Sequence, residues 1–256
     1  MDALTTMIYR QIKRFTRARS RVVGMIINPL IWLVFFGLGW SRVFDNPMAR
    51  MVFGGVDYLT FLAPGIFAMT VFNMSFMGGV SVIWDKQFGF LKELLVAPAS
   101  RKAGILGRMI GDSLVTLAQG AIILALTYPL AESLRLSGFI PALGIGFLLS
   151  MAFLGFGVSV ALKMESMEGF QMVVMVIMLP LTFLSGAMYP IDTMPDWMKV
   201  LAYINPLTYA VDGARHFLIG EHVAKFALVT DIGVLALLAF LLVGIAMIEF
   251  EKATIG

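Results

Sequence analysis

Six stretches of the chain carry no charged residue: Val22–Ser41, Tyr58–Trp84, Ser113–Ala131, Leu136–Leu162, Gly169–Ile191 and Ile232–Ile248. Five are long enough to cross a hydrocarbon core of about 30 Å at about 1.5 Å per residue. The last reaches that length when the apolar positions of 225–231 are added. None alternates at period 2, so the spanning form is helical, with each backbone polar group satisfied inside its own segment. A soluble fold is excluded by composition. Of all residues 59% are hydrophobic and 14% charged, against about 25% charged in soluble domains. The expectation is an all-α integral membrane protein of six transmembrane helices, forming one domain over residues 1–256.

Basic residues set the expected orientation. With the N-terminus in the cytoplasm, thirteen of the 19 Lys and Arg fall on cytoplasmic segments. Arg42, Arg50, Arg135, Lys199, Arg215 and Lys225 fall outside, which obeys the positive-inside rule. Both termini are then cytoplasmic, in a plasma or inner membrane. The first run is read as a span and not as a cleaved signal, because no A-x-A-like site follows it. Ahead of it, residues 1–21 place Leu4, Met7, Ile8, Gln11, Ile12 and Phe15 on one helical face. Arg10, Lys13, Arg14, Arg17 and Arg21 fall on the other. This predicts an interfacial amphipathic helix on anionic lipid, each basic residue contributing about 1 kcal/mol. A nucleic-acid-binding arm is set aside, since the chain enters the membrane directly afterwards.

Two polar interruptions stand out. Residues 84–102 read WDKQFGFLKELLVAPASRK, with Trp84, Phe88, Leu91 and Leu95 at helical spacing and Asp85, Lys86, Lys92 and Glu93 between them. An apolar anchor with a polar rim suits a docking surface; the plainer alternative is an interfacial helix that joins two spans. On the outer side, residues 190–222 carry Pro190, Asp192, Pro195, Asp196, Asn205 and Pro206 as turn residues. The short apolar-faced pieces between them predict interfacial or re-entrant helices, with Trp197, Tyr203 and Tyr209 at headgroup level.

Catalytic chemistry is nearly absent. The chain has no G-x-x-x-x-G-K-[ST] loop and no cysteine, which removes P-loop nucleotide binding, disulfides and thiolate sites. Ser185–Gly186 has Phe183 where a serine-protease motif needs Gly, and His216 and His222 lie outside the spans, so an intramembrane protease is excluded. The same histidines, six apart, fall on different helical faces and do not make a metal pair. Arg108 and Asp112, one turn apart, are expected to pair and snorkel at a helix end, and Asp231 lies near the outer end of the last span. With no charge in the six runs, proton coupling is disfavoured, while carbonyls at broken helices leave sodium open. Helix breakers stand at Asn28–Pro29, Pro64–Gly65 and Pro180, and Gly155 and Gly157 indicate close helix packing. Met172, Met175 and Met178 form a stripe beside Pro180. It is either packing and lipid contact or, with Ser185, an adaptable substrate path.

The residues FLKELLVAPASRK resemble the segment after the second span of type-2 ABC exporter permeases, the drug, nodulation-factor and polysaccharide export family. Glu93, Leu94, Leu95, Val96, Ala97, Pro98 and Arg101 follow its acidic, apolar, Ala-Pro, basic order. Residues 178–215 are similar to that family's C-terminal signature at Pro180, Ser185–Gly186, Tyr189–Pro190, Pro195, Trp197, Asn205–Pro206 and Arg215. The resemblance implies that 84–102 is a coupling helix docking on a separate ATP-binding subunit through Trp84, Phe88, Leu91, Lys92, Glu93, Leu94, Leu95, Pro98 and Arg101. Residues 1–21 become a connecting helix, with Arg10, Lys13, Arg14 and Arg17. Residues 190–222 become outer gate helices, with Tyr189, Pro190, Pro195, Trp197, Asn205 and Pro206. It further implies two permease chains, as a homodimer, with two ATPase chains holding ATP and Mg2+. This chain is then no enzyme and holds no cofactor or metal. The expected cargo is hydrophobic or amphipathic, drug-like or lipid-like. Scarce Trp (four) and scattered Phe (21) favour it over export of polysaccharide, lipo-oligosaccharide or teichoic acid, which a path lined by Phe61, Phe67, Phe72 and Phe76 would support. An ion-coupled transporter or a non-transporting scaffold is the reading outside that family.

Overall fold

Capping residues mark where five of the helices begin. Asn46, Asp57, Ser100, Ser166 and Asn205 each accept a hydrogen bond from a backbone amide two or three residues on, at 2.8–3.3 Å, and Pro47 and Pro206 follow their caps at the first helical position. The computed structural model describes residues 3–17, 24, 27, 30–44, 46–88, 100–164 and 166–252. Among them are α1 (Ala3–Arg17), α2 (Leu30–Phe44), α3 (Pro47–Val52), α4 (Tyr58–Met77), α5 (Val80–Gln87), α6 (Arg101–Thr127), α7 (Phe139–Lys163), α8 (Met167–Phe183), α9 (Asp196–Ile204), α10 (Pro206–Leu218) and α11 (Leu228–Lys252), and no strand. Short 3-10 turns complete the connections.

Among the described residues, four helical stretches are long and apolar enough to cross a membrane: Tyr58–Gln87, Arg101–Thr127, Leu136–Lys163 and Leu228–Lys252. The first is α4 continued into α5 through a turn at Gly78–Gly79. The remaining two apolar runs are helical where they are described, as α2 and α8. Within α2, Leu33–Leu38 is a π-helical stretch, a wider turn that shifts the facing of the residues after it. Asn28–Pro29 lies outside the described residues.

The core is built around α7, which packs against α4, α6, α10 and α11. Two glycines permit this. A Cβ at Gly155 would stand 2.7 Å from the Leu242 carbonyl carbon, and one at Gly157 would stand 2.6 Å from Phe76 O, so close packing is indeed what these glycines serve. Ser75 Oγ donates to Ser150 Oγ at 2.9 Å between α4 and α7. Phe61, Phe67, Phe72 and Phe76 are all at most 2% exposed, and Phe72 meets Phe153 edge to face at 4.5 Å. The Phe stripe is therefore core and lines no path, because α4 is covered on nearly every side.

The helix α1 is amphipathic as expected, but its apolar face is spent on protein. Met7 and Gln11 are buried against α6, where a Cβ at Gly107 would lie 2.4 Å from Leu4 O. Ile12 is left exposed. The short α3 had no counterpart among the expected elements, although Asn46–Pro47 is a capping signal readable in sequence.

Candidate functional site

Two polar assemblies occupy opposite ends of the bundle. At the α1 end, Arg108 is 1% exposed. Its Nη1 lies 2.7 Å from Asp85 Oδ2, and its Nη2 donates to Ser81 Oγ at 2.6 Å. Arg10 Nη2 stands 3.6 Å from the other Asp85 oxygen, and Gln11 Nε2 donates to Asp112 Oδ2 at 3.1 Å. One carboxylate on α5 thus ties α1 to α6. Arg108 does not snorkel: its nearest carboxylate is Asp85, with Asp112 at 4.0 Å. The same end is closed by Lys163 with Glu249 at 2.7 Å and Lys102 with Glu251 at 2.9 Å.

The expected coupling residues divide here. Trp84 is half-buried, with the Arg14 guanidinium 5.9 Å from its ring centroid, so it faces α1. Phe88 is 83% exposed. The two do not share one open face, because α5 ends at Gln87 and helical periodicity stops there. Arg101 opens α6 and donates to the Glu251 carbonyl at 3.3 Å. Leu91, Lys92, Glu93, Leu94, Leu95 and Pro98 lie outside the described residues. On α1, Arg10 is committed to Asp85, while Lys13 and Arg17 are exposed.

At the opposite end, residues 184–187 turn into the bundle. Gly186 has φ +72°, and its carbonyl accepts from Arg215 Nη2 at 2.7 Å. The buried Arg215 guanidinium also lies over the Phe61 ring, 3.9 Å from the centroid. Asn205 is buried; its Oδ1 caps α10 and its Nδ2 donates to Leu181 O at 2.7 Å, satisfying one of the last carbonyls of α8. Tyr189 Oη donates to Phe183 O at 3.1 Å. Pro190 and Pro195 precede the 3-10 turn and α9, Pro206 opens α10, and Trp197 is 65% exposed. Sequence reasoning placed Arg215 as an outer charge; the structure makes it the buried partner of the Ser185–Ala187 turn. Lys225 forms a hydrogen bond with Asp192, which holds its ammonium pKa above the usual value.

Of the path candidates, Met172 and Met175 are about 70% exposed and Met178 is half-buried. Met172 and Met175 border a shallow groove with Met77, Glu168, Gln171 and Val174. Ser185 is buried, and its hydroxyl donates to Thr182 O at 2.7 Å and accepts from the Ala187 amide. Nor do His216 and His222 meet: the first is on α10 and the second in the following 3-10 turn.

The family model described as ABC-2 type transporter matches residues 2–219, a span that includes Asp85, Arg108, Asn205 and Arg215. The chain belongs to the ABC-2 type transporter family. Among its relatives is the transport permease ycf38 of Cyanophora paradoxa, 30% identical over 84% of this chain and 73% of that protein. The inner membrane transport permease YadH of Escherichia coli is 26% identical over 96% of this chain and 94% of its own length. The daunorubicin resistance ABC transporter permease DrrB1 of Streptomyces coeruleorubidus is 26% identical over 86% and 76%. Membership identifies a multi-pass membrane permease of an ABC transporter, and it implies partnership with an ATP-binding subunit.

Proposed function

We propose that this ABC-2 permease exports a hydrophobic or amphipathic, drug-like or lipid-like compound, driven by two ATPase chains that hold ATP and Mg2+, and that it works as a homodimer of six-span chains. The observation that carries the reading is the α1 end. A buried Arg108–Asp85 pair joins α1, α5 and α6 at both borders of the segment 84–102, so a push on that segment reaches the span bundle through a rigid node. The positive-inside count supports placing this end and both termini in the cytoplasm. Lys13 and Arg17 remain available to anionic lipid. The α9–α10 end then forms the outer closure. ATP binding biases the two conformations through its preference for the closed ATPase pair.

The docking residues are Phe88, Leu91, Lys92, Glu93, Leu94, Leu95, Pro98 and Arg101, with Trp84 as their internal brace. The test is co-purification of the ATP-binding subunit with the tagged full chain. Glu93→Arg combined with Leu94→Asp is expected to weaken retention about 100-fold, the effect of ruining an interface centre. Undiminished retention would place docking elsewhere; a native chain that holds no ATPase would remove the exporter reading.

The cargo reading is supported by the exposed Met172, Met175, Val176 and Leu179 face of α8, which suits adaptable apolar contact, and by similarity to a daunorubicin-resistance permease. Burial of the Phe61–Phe76 stripe leaves glycan export without its structural argument. Met175→Trp is expected to cut export about tenfold at unchanged expression, as a misfit of roughly 1–3 kcal/mol would. Unchanged export returns this face to lipid contact.

A further inference from the structure

His216 and Asp212 stand one turn apart on α10 and face the first turn of α11, where Asp231 is 0% exposed. Gly213 lets the helices approach: a Cβ there would lie 3.3 Å from Asp231 Cβ. One ring nitrogen of His216 and one oxygen from each carboxylate lie within 4.8 Å of one another. Both Asp231 oxygens are buried and accept no hydrogen bond from any described residue; His216 Nε2 is 3.8 Å away, beyond hydrogen-bond reach. The permanent cations nearby are committed elsewhere, Arg215 to the Gly186 carbonyl and Lys225 to Asp192. Two buried carboxylates therefore face each other: Asp212 is held by the Lys225 and Phe226 amides, while neither Asp231 oxygen has a hydrogen-bond partner among the described residues, an arrangement that low-dielectric surroundings penalise without a cation.

We propose that Asp212, His216 and Asp231 bind a divalent first-row transition cation of the Zn2+ class, which fastens α10 to α11. The donor set of one imidazole and two carboxylates suits such a borderline ion. The Phe226 carbonyl, 2.7 Å from His216 Nε2, is a fourth donor at hand. Asp212 already accepts the Lys225 and Phe226 amides, which orients its carboxylate and leaves lone pairs for a metal. Tetrahedral ligand bonds of about 2.0–2.2 Å require the three donors to draw inward on binding. Binding through Nε2 requires the neutral imidazole to carry its proton on Nδ1, so the hydrogen bond from Nε2 to the Phe226 carbonyl gives way to the metal bond.

The test uses the full chain in lipid nanodiscs, stripped of metal and titrated with Co2+ and then Zn2+. The expected result is stoichiometric, saturable binding with a tetrahedral Co2+ absorption band that Zn2+ displaces. At saturation the unfolding midpoint should rise by roughly 5 °C or more. His216→Gln and Asp231→Asn should each weaken binding about 100-fold or more, while His222→Gln leaves it intact. Asp231→Asn removes a buried charge, so its metal-free midpoint should equal or exceed that of the native chain. The proposal is overturned if the native chain binds no metal saturably, or if His216→Gln binds as the native chain does. Neither readout needs transport, so export can fail its own test while this site stands.

Discussion

Asp85→Ala is expected to destabilise the folded chain by about 3–5 kcal/mol, the cost of leaving one buried charge without its partner. Arg108 is 1% exposed and its 2.7 Å contact with Asp85 is the shortest of its ion pairs. Removing the carboxylate also takes from Arg10 its contact at 3.6 Å and leaves α1 held on α5 by Arg14 over Trp84. Replacing both partners, Asp85→Leu with Arg108→Leu, should recover most of the loss, because an apolar pair has no unmatched charge to bury. The midpoint of unfolding in nanodiscs measures the stability, and retention of the ATP-binding subunit measures the coupling. A single variant as stable as the native chain would show that Arg108 finds compensation elsewhere.

The second large effect is expected from Gly65→Ala. The added methyl would stand 2.5 Å from Ala187 O and 2.9 Å from Ala187 Cβ. The oxygen belongs to a backbone turn that cannot rotate aside, so α4 or the 184–187 turn has to move. Overpacking of this kind costs about 1–3 kcal/mol, or roughly 2–10 °C in midpoint for a chain of this size. Gly144→Ala and Gly233→Ala, where a Cβ meets nothing within 4 Å, are the controls and should be neutral. Equal behaviour of all three would mean the 184–187 turn is not packed as described.

Apolar runs were the legible part of this fold, because crossing hydrocarbon leaves the backbone few choices and each run became a helix where it is described. The positions of Gly155 and Gly157 were legible for a related reason: a glycine within a span has little purpose except approach. What one-dimensional periodicity could not show was which face meets protein and which meets lipid. Both are apolar, so Phe61–Phe76 in the core and Met172–Met175 at the surface carry the same signal. The α1 face illustrates the same limit, since a stripe that would suit headgroups is buried on α6. Polar residues misled through distance in sequence. Arg108 looked like a snorkelling end charge paired with Asp112, because its closer partner, Asp85, lies 23 positions away in sequence. Asn205 and Arg215 were noticed as signature positions, yet their partners, Leu181 and Gly186, lie 24 and 29 residues away.

The double attachment of Asn205 has a mechanical consequence. Its amide holds the last turn of α8 while its oxygen holds the Leu207 amide at the start of α10, so the two helix ends share one node. A tilt of α8 about Pro180 cannot leave α10 behind without breaking that node, and α10 lies directly on α7 and α11. Any tilt of α8 is thus expected to turn α10 with it, through Asn205 and the Arg215–Gly186 contact, as a crank turns with its shaft.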